Sequence, residues 1–189
     1  MWVYTNQHGV VYEYQPGRYG KHAKDKLEDF EGYVQTDRYQ GYDQVIDGEK
    51  RIGVACMAHA RRKFTDVKKA AGKKKKTGVA DRAINLMGKL YHLEKQAKEK
   101  SLDTEAIRQM RQEYAIPILE KLHSYLIEQQ GKAPPQSTLG KAIAYFIKHN
   151  QALKRYTEDG ILAIDNNAAE RAIRPFAIGR KNWMCVPRK

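Results

Sequence analysis

Two carboxylates set among many cations raise the first chemical question. Asp37 ends the stretch "YVQTD", where an alternating run rich in β-branched and aromatic residues brings its last side chain to the edge of a sheet. Glu170 lies in "DNNAAERAIRPFAIGRKNW", in the first turns of a helix that Asp165, Asn166 or Asn167 can cap and that is expected to stop before Pro175. Each acid has an ordinary structural reading, Asp37 as a turn residue and Glu170 as a carboxylate favoured by the helix dipole. Together they suit divalent-metal phosphoryl transfer, in which two hard cations about 3.5–4 Å apart activate the attacking oxygen and stabilise the leaving one. Arg61, Arg62, Arg171, Arg174, Arg180 and Lys181 accompany them, and guanidinium and ammonium groups suit DNA phosphates. Arg174, four residues after Glu170, equally suits an intrahelical ion pair worth a few tenths of a kcal/mol.

Several other residues carry weaker signals. Cys56 and His59 form a C-x-x-H pair that lacks the two further ligands a structural zinc needs, so a packing role is the first expectation. Lys73, Lys74, Lys75 and Lys76 read as a solvated basic loop, with phosphate binding as the alternative. Tyr39 and Trp183 can stack on an unpaired base or pack into the core.

The elements that must position these groups change character along the chain. "WVYT" and "VVYEYQ", joined at His8-Gly9, read as paired antiparallel strands; "KHAKDKLEDF" places Ala23, Leu27 and Phe30 on one helical face; "YVQTD" and "RIGVACM" are two further strands. From about Ala58 onward the pattern is helical. One stripe carries Ile84, Met87 and Tyr91, a break is expected near Pro117, and Ser137 caps a helix with Leu139, Ile143, Phe146 and Ile147 on its apolar face. This divides the chain into a sheet-containing part (1–71), a helical insertion (72–160) and a final helix with a basic segment (161–189).

Composition bounds the function. The 189 residues are 41% hydrophobic, enough for a core, and 35 Lys and Arg against 22 acids give a net charge of +13, which suits a polyanionic partner. Two cysteines far apart exclude a disulfide framework, and the absence of GxxxxGK[ST] removes P-loop nucleotide chemistry. No apolar run is long enough for a membrane span, so a cytoplasmic, nucleoid-associated protein is expected.

In order, "YVQTDRYQGY", "CMAHARRKF" and "DNNAAERAIRPFAIGRKNW" resemble the central part of transposases of the insertion sequence 66 family, and the resemblance extends over the chain through "YEYQPGRYGKHA" and "LGKAIAYFIKHN". It implies a ribonuclease-H-like (retroviral-integrase-like) mixed sheet with a largely helical insertion. It also implies an Asp-Asp-Glu site that cuts and joins DNA with Mg2+ or Mn2+. Asp37 matches the second acid and Glu170 the third, with His59, Asn166 and Asn167 beside them. DNA is the implied partner, as element ends and target, along with homo-oligomers or full-length transposase subunits.

The first acid of the family, in an Asp-Glu-Thr context, falls upstream of Met1, and Asp25, Asp29 and Asp43 lie on or beside helices, poorly placed to replace it. The sheet is therefore expected to be incomplete at its first strand, leaving the "WVYT" hairpin with an unpaired edge, and the chain to be a truncated, catalytically impaired fragment. Two alternatives stay open, a non-catalytic DNA-binding remnant and a metal-dependent nuclease unrelated to transposition.

Overall fold

The computed structural model describes residues 1–182 apart from 7, 18, 39, 47–48 and 73–77, and leaves out the side chains of 176, 177 and 180–182. Tyr39, Trp183 and the Lys73–Lys76 run therefore lie outside the described residues. The chain forms β1 (Trp2–Asn6), β2 (Gly9–Glu13), α1 (Gly20–Lys26), β3 (Gly32–Thr36), β4 (Arg51–Ala55), α2 (Met57–Ala71), α3 (Val79–Glu99), α4 (Thr104–Met110), α5 (Ile116–Gln130), α6 (Thr138–Lys154) and α7 (Asn167–Asn182).

The described strands make two small sheets rather than the single mixed sheet expected. β1 and β2 pair antiparallel, with Trp2 opposite Glu13, and the Asn6 side chain accepts the N–H groups of His8 and Gly9 to close the turn. β3 and β4 pair in parallel, with Thr36 opposite Ala55. The hairpin keeps apart because its inner face has its own apolar partners, Trp2 packing with Ala23 and Val45. α1 is shorter than its periodicity suggests. It ends at Lys26, leaving Leu27 and Phe30 beyond it and Phe30 exposed.

The main core is helical. Phe64 of α2, Met87 and Leu90 of α3, Leu122 of α5 and Phe146 of α6 are fully buried and continuous with Val54 and Ala55 of β4. Burying each such side chain contributes about 1.5–3 kcal/mol. The sequence caps these helices where it should: Asp103 accepts from Ala106 N at 2.8 Å, and Ser137 from Gly140 N at 3.0 Å.

Two proline expectations are revised. Near Pro117 the α-helical hydrogen bonding is interrupted by a π turn at Arg111–Ala115, but the helix does not end there: the backbone stays helical from α4 into α5, with Pro117 just after the turn. α7 likewise does not stop before Pro175 but runs through it, forgoing one backbone hydrogen bond to Arg171. Contacts with β1 and a hydrogen bond from the Tyr12 hydroxyl to the Ala172 carbonyl (3.0 Å) hold α7 across the hairpin.

A buried arginine fastens α3 to the 155–159 turn, which in turn reaches the sheet. The Arg111 guanidinium forms a bidentate pair with Glu94 (3.0 and 2.7 Å) and donates to the carbonyls of Tyr156 and Asp159 (2.8 and 2.7 Å). From the same turn, Arg155 donates to the Gly53 carbonyl and the Glu158 carboxylate accepts from Tyr33. Among the described residues no helix is long and apolar enough to cross a membrane.

Candidate active site

β3 and β4 end side by side, and the chain leaves them in two directions that build the site. After Thr36 the backbone turns through Asp37 to Arg38, which takes a left-handed conformation (φ 62°) unusual for a residue with a side chain. Asp37 thereby leaves the strand and lines a cleft of about 300 Å3 with Arg38, His59, Arg62, Lys63, Asp66 and Tyr145. Gly53 of β4 leaves room for this turn, since a Cβ there would lie 3.0 Å from the Arg38 guanidinium and 2.8 Å from Ile46.

After Ala55, Cys56 starts α2, and its buried thiol accepts the Asn166 N–H at 3.4 Å. Burial pushes this thiol above its ordinary range, so it stays protonated. The C-x-x-H pair divides its tasks: Cys56 meets the entry to α7, whereas His59, nearly one turn further on, meets Glu170.

The entry to α7 is tied down on several sides. Gln35 Nε2 donates to the Ala163 carbonyl (2.6 Å), and Met57 N to the Ile164 carbonyl (3.1 Å). Asp165 accepts the Asn167 backbone N–H (3.1 Å), the Asn167 side-chain amide (2.7 Å) and the Tyr91 hydroxyl (2.9 Å). Of the three capping candidates, Asp165 does the work with its side chain. Asn166 contributes its backbone carbonyl to Glu170 N (3.1 Å), and Asn167 braces Asp165 rather than Glu170.

So held, α7 presents Glu170 to α2. Its two carboxylate oxygens lie 3.5 Å from His59 Nε2 and 3.7 Å from the Arg62 guanidinium, and Arg62 itself lies 3.3 Å from His59. Glu170 thus contacts two α2 residues that also line the cleft of Asp37. The ion pairing goes across helices instead of along α7 to Arg174, which is exposed, as is Arg171. Arg61 stands over the Tyr91 ring at 5.9 Å. The side chains of Arg180 and Lys181 lie outside the described residues.

Sequence reasoning missed Arg38, Lys63, Tyr91 and Tyr145. The Tyr145 hydroxyl lies 3.4 Å from the Asp37 carbonyl, Lys63 stands over the Tyr145 ring at 4.4 Å, and His149 packs edge-on to it at 4.6 Å. Adjacency to Asp37 and to the Arg61-Arg62 pair was the available signal for Arg38 and Lys63. The tyrosines gave none: Tyr91 read as part of an apolar stripe, and Tyr145 was not among the residues singled out on its helix.

Asp37 thus lies in a basic cleft at the ends of two parallel strands, and Glu170 lies beside two of the residues that line it. The chain belongs to the transposase IS66 family, whose description matches residues 1–189. It is 30% identical over 186 residues to the uncharacterized protein y4hP of Sinorhizobium fredii (strain NBRC 101917 / NGR234), covering 92% of this chain and 33% of that protein. Against y4qI of the same organism it is 32% identical over 180 residues, covering 92% and 32%. The chain spans about a third of the length of these curated relatives. No solved structure matches it.

Proposed function

We propose that this chain is the catalytic core segment of a DNA transposase, a ribonuclease-H-like domain with a helical insertion at 72–160, in which Asp37 and Glu170 are two of the metal-holding acids. The single observation that carries the proposal is that Glu170 lies within 3.7 Å of His59 and Arg62, two residues that line the cleft of Asp37, in a chain of this family.

The donor set fits Mg2+ or Mn2+ in kind, because such ions take one or two carboxylates and complete their shell with waters and substrate phosphates. When bound, the metal supplies charge stabilisation for phosphoryl transfer. The chain's own residues do the rest. Arg62 and His59 orient Glu170, and Arg61, Arg62, Arg171, Arg174, Arg180 and Lys181 hold the phosphates of element ends and target DNA. The protein acts in the cytoplasm, at the nucleoid, as a homo-oligomer or with full-length subunits.

Among the described residues no group of three or more His, Cys, Asp and Glu is placed to hold a metal. The chain alone is therefore expected to be catalytically impaired and to carry out little strand transfer. The same observation favours a second reading, a DNA-binding segment without catalysis. Incubating the protein with labelled element-end duplex and Mn2+ separates the two. Weak nicking that Asp37→Asn and Glu170→Gln each abolish supports the first, salt-sensitive binding without nicking supports the second, and nicking that survives both substitutions contradicts the proposed acids. Cleavage indifferent to end sequence would point to a general nuclease.

A further inference from the structure

Two cations of the cleft stay poorly matched once its ion pairs are drawn. Arg38, Arg62 and Lys63 line it against the carboxylates of Asp37 and Asp66. Arg62 is turned to Glu170 (3.7 Å), and Asp66 to Lys69 on its own helix (3.5 Å). Lys63 makes no ion pair among the described residues; its ammonium group stands 4.4 Å over the Tyr145 ring, whose negative face holds it in place. The Arg38 side chain is only 17% exposed, yet its ion-pair partner, Asp43, lies 3.8 Å away, too far for a hydrogen bond. Its Nε is buried without a hydrogen-bond partner. A guanidinium taken out of water with so loose a partner is stabilised by an anion that brings acceptor oxygens to it.

The fold fixes both charges from separate elements. Arg38 follows β3 in its left-handed turn, Lys63 lies on α2, and Tyr145 on α6 directs its hydroxyl to the Asp37 carbonyl. His149, edge-on to the Tyr145 ring, adds no charge near neutral pH. Burial first, then Arg38, Lys148 and Lys63, hold its pKa at about 4 against Asp43. The cleft of about 300 Å3 has room for one tetrahedral anion and its nearest waters, each of about 30 Å3.

We propose that Arg38 and Lys63 form a binding site for one backbone phosphate of DNA, with the Tyr145 ring holding the lysine. The guanidinium fork suits two phosphate oxygens and the ammonium group a third. The choice of DNA rests on the proposed function. The site itself needs no metal ion, so it stands whether or not Asp37 and Glu170 hold one.

The test is fluorescence anisotropy with a short labelled duplex, in EDTA to keep metals out. Lys63→Gln and Arg38→Gln should each weaken binding about tenfold and lower the slope of log affinity against log salt by about one. Because both serve one phosphate, the double variant should lose less than the product of the two single losses. Tyr145→Leu keeps the charge of Lys63 but removes its platform, and its loss should exceed that of Tyr145→Phe, which keeps the ring. These Lys63 and Tyr145 variants keep the test decisive if Arg38→Gln does not fold. An unchanged slope in Lys63→Gln, fully multiplying losses, or equal losses in the two Tyr145 variants would overturn the proposal.

Inorganic phosphate, added at constant ionic strength, should displace the duplex from the wild type and not from Lys63→Gln. If phosphorus NMR shows it binding the wild type while Lys63→Gln and Arg38→Gln hold DNA as the wild type does, the site serves a free anion and the assignment to DNA is overturned. A wild-type chain that binds no duplex overturns the DNA reading and this inference together. Salt-sensitive binding that neither substitution changes overturns the inference alone.

Discussion

Glu170 carries three influences at once, the N-terminal dipole of α7, the His59 ring and the Arg62 guanidinium. The pair with Arg62 is more than half open to solvent on the arginine side, so it is worth about 0–1 kcal/mol, and its use must be sought in binding. Arg62→Gln should leave the melting temperature nearly unchanged while reducing the slope of log affinity for DNA against log salt by about one, measured by fluorescence anisotropy. His149 makes a separate prediction. Burial, with Arg38, Lys148 and Lys63 nearby and Asp43 opposing them, holds its pKa at about 4, below that of the unfolded chain. The native state therefore binds fewer protons, and the stability His149 contributes is complete above about pH 6.5 and declines as pH falls toward about 4. Urea unfolding across that range should show a flatter pH profile for His149→Gln. The residue types of Asp37, Glu170 and the arginines were legible in the sequence because charge near a strand end or helix start is a local signal. The tyrosines were not, since their roles depend on partners 74 and 108 positions away.

Element boundaries followed local chemistry where caps decided them and departed where tertiary contact did. Ser137 begins α6 as its hydroxyl predicts, whereas the π turn at Arg111–Ala115 has no sequence signature and serves the buried Arg111. Arg111→Met should cost about 3 kcal/mol in urea unfolding, because it leaves Glu94 and two carbonyls without their donor. If the loss stays within about 0.5 kcal/mol, the clamp does not hold the helical region to the 155–159 turn. Pro175 is exposed in the interior of α7, and its docking against β1 keeps the helix going despite the lost backbone bond. Pro175→Ala restores that bond and should raise stability by about 1–3 kcal/mol, visible as a higher melting temperature. No gain would mean that the helix relies on the proline-bent path across the hairpin.

The whole molecule joins a small sheet region to a large helical core through β4 and α2. The sequence made the shift from strand to helix near Ala58 readable, because the hydrophobic period changes there. It did not show that the strands divide into two pairs, since strand partnership is set by backbone edges and not by composition. The net charge of +13 belongs to this scale and suits a polyanionic partner, as the DNA proposed above would be. The central claim is that Asp37 and Glu170 serve one metal site, and its most direct measurement is Mn2+ titration of the wild-type chain beside Asp37→Asn and Glu170→Gln. One weak site in the wild type, lowered at least about tenfold by either substitution, is the predicted result. Mn2+ uptake that neither substitution changes, or no uptake by the wild type, would contradict it.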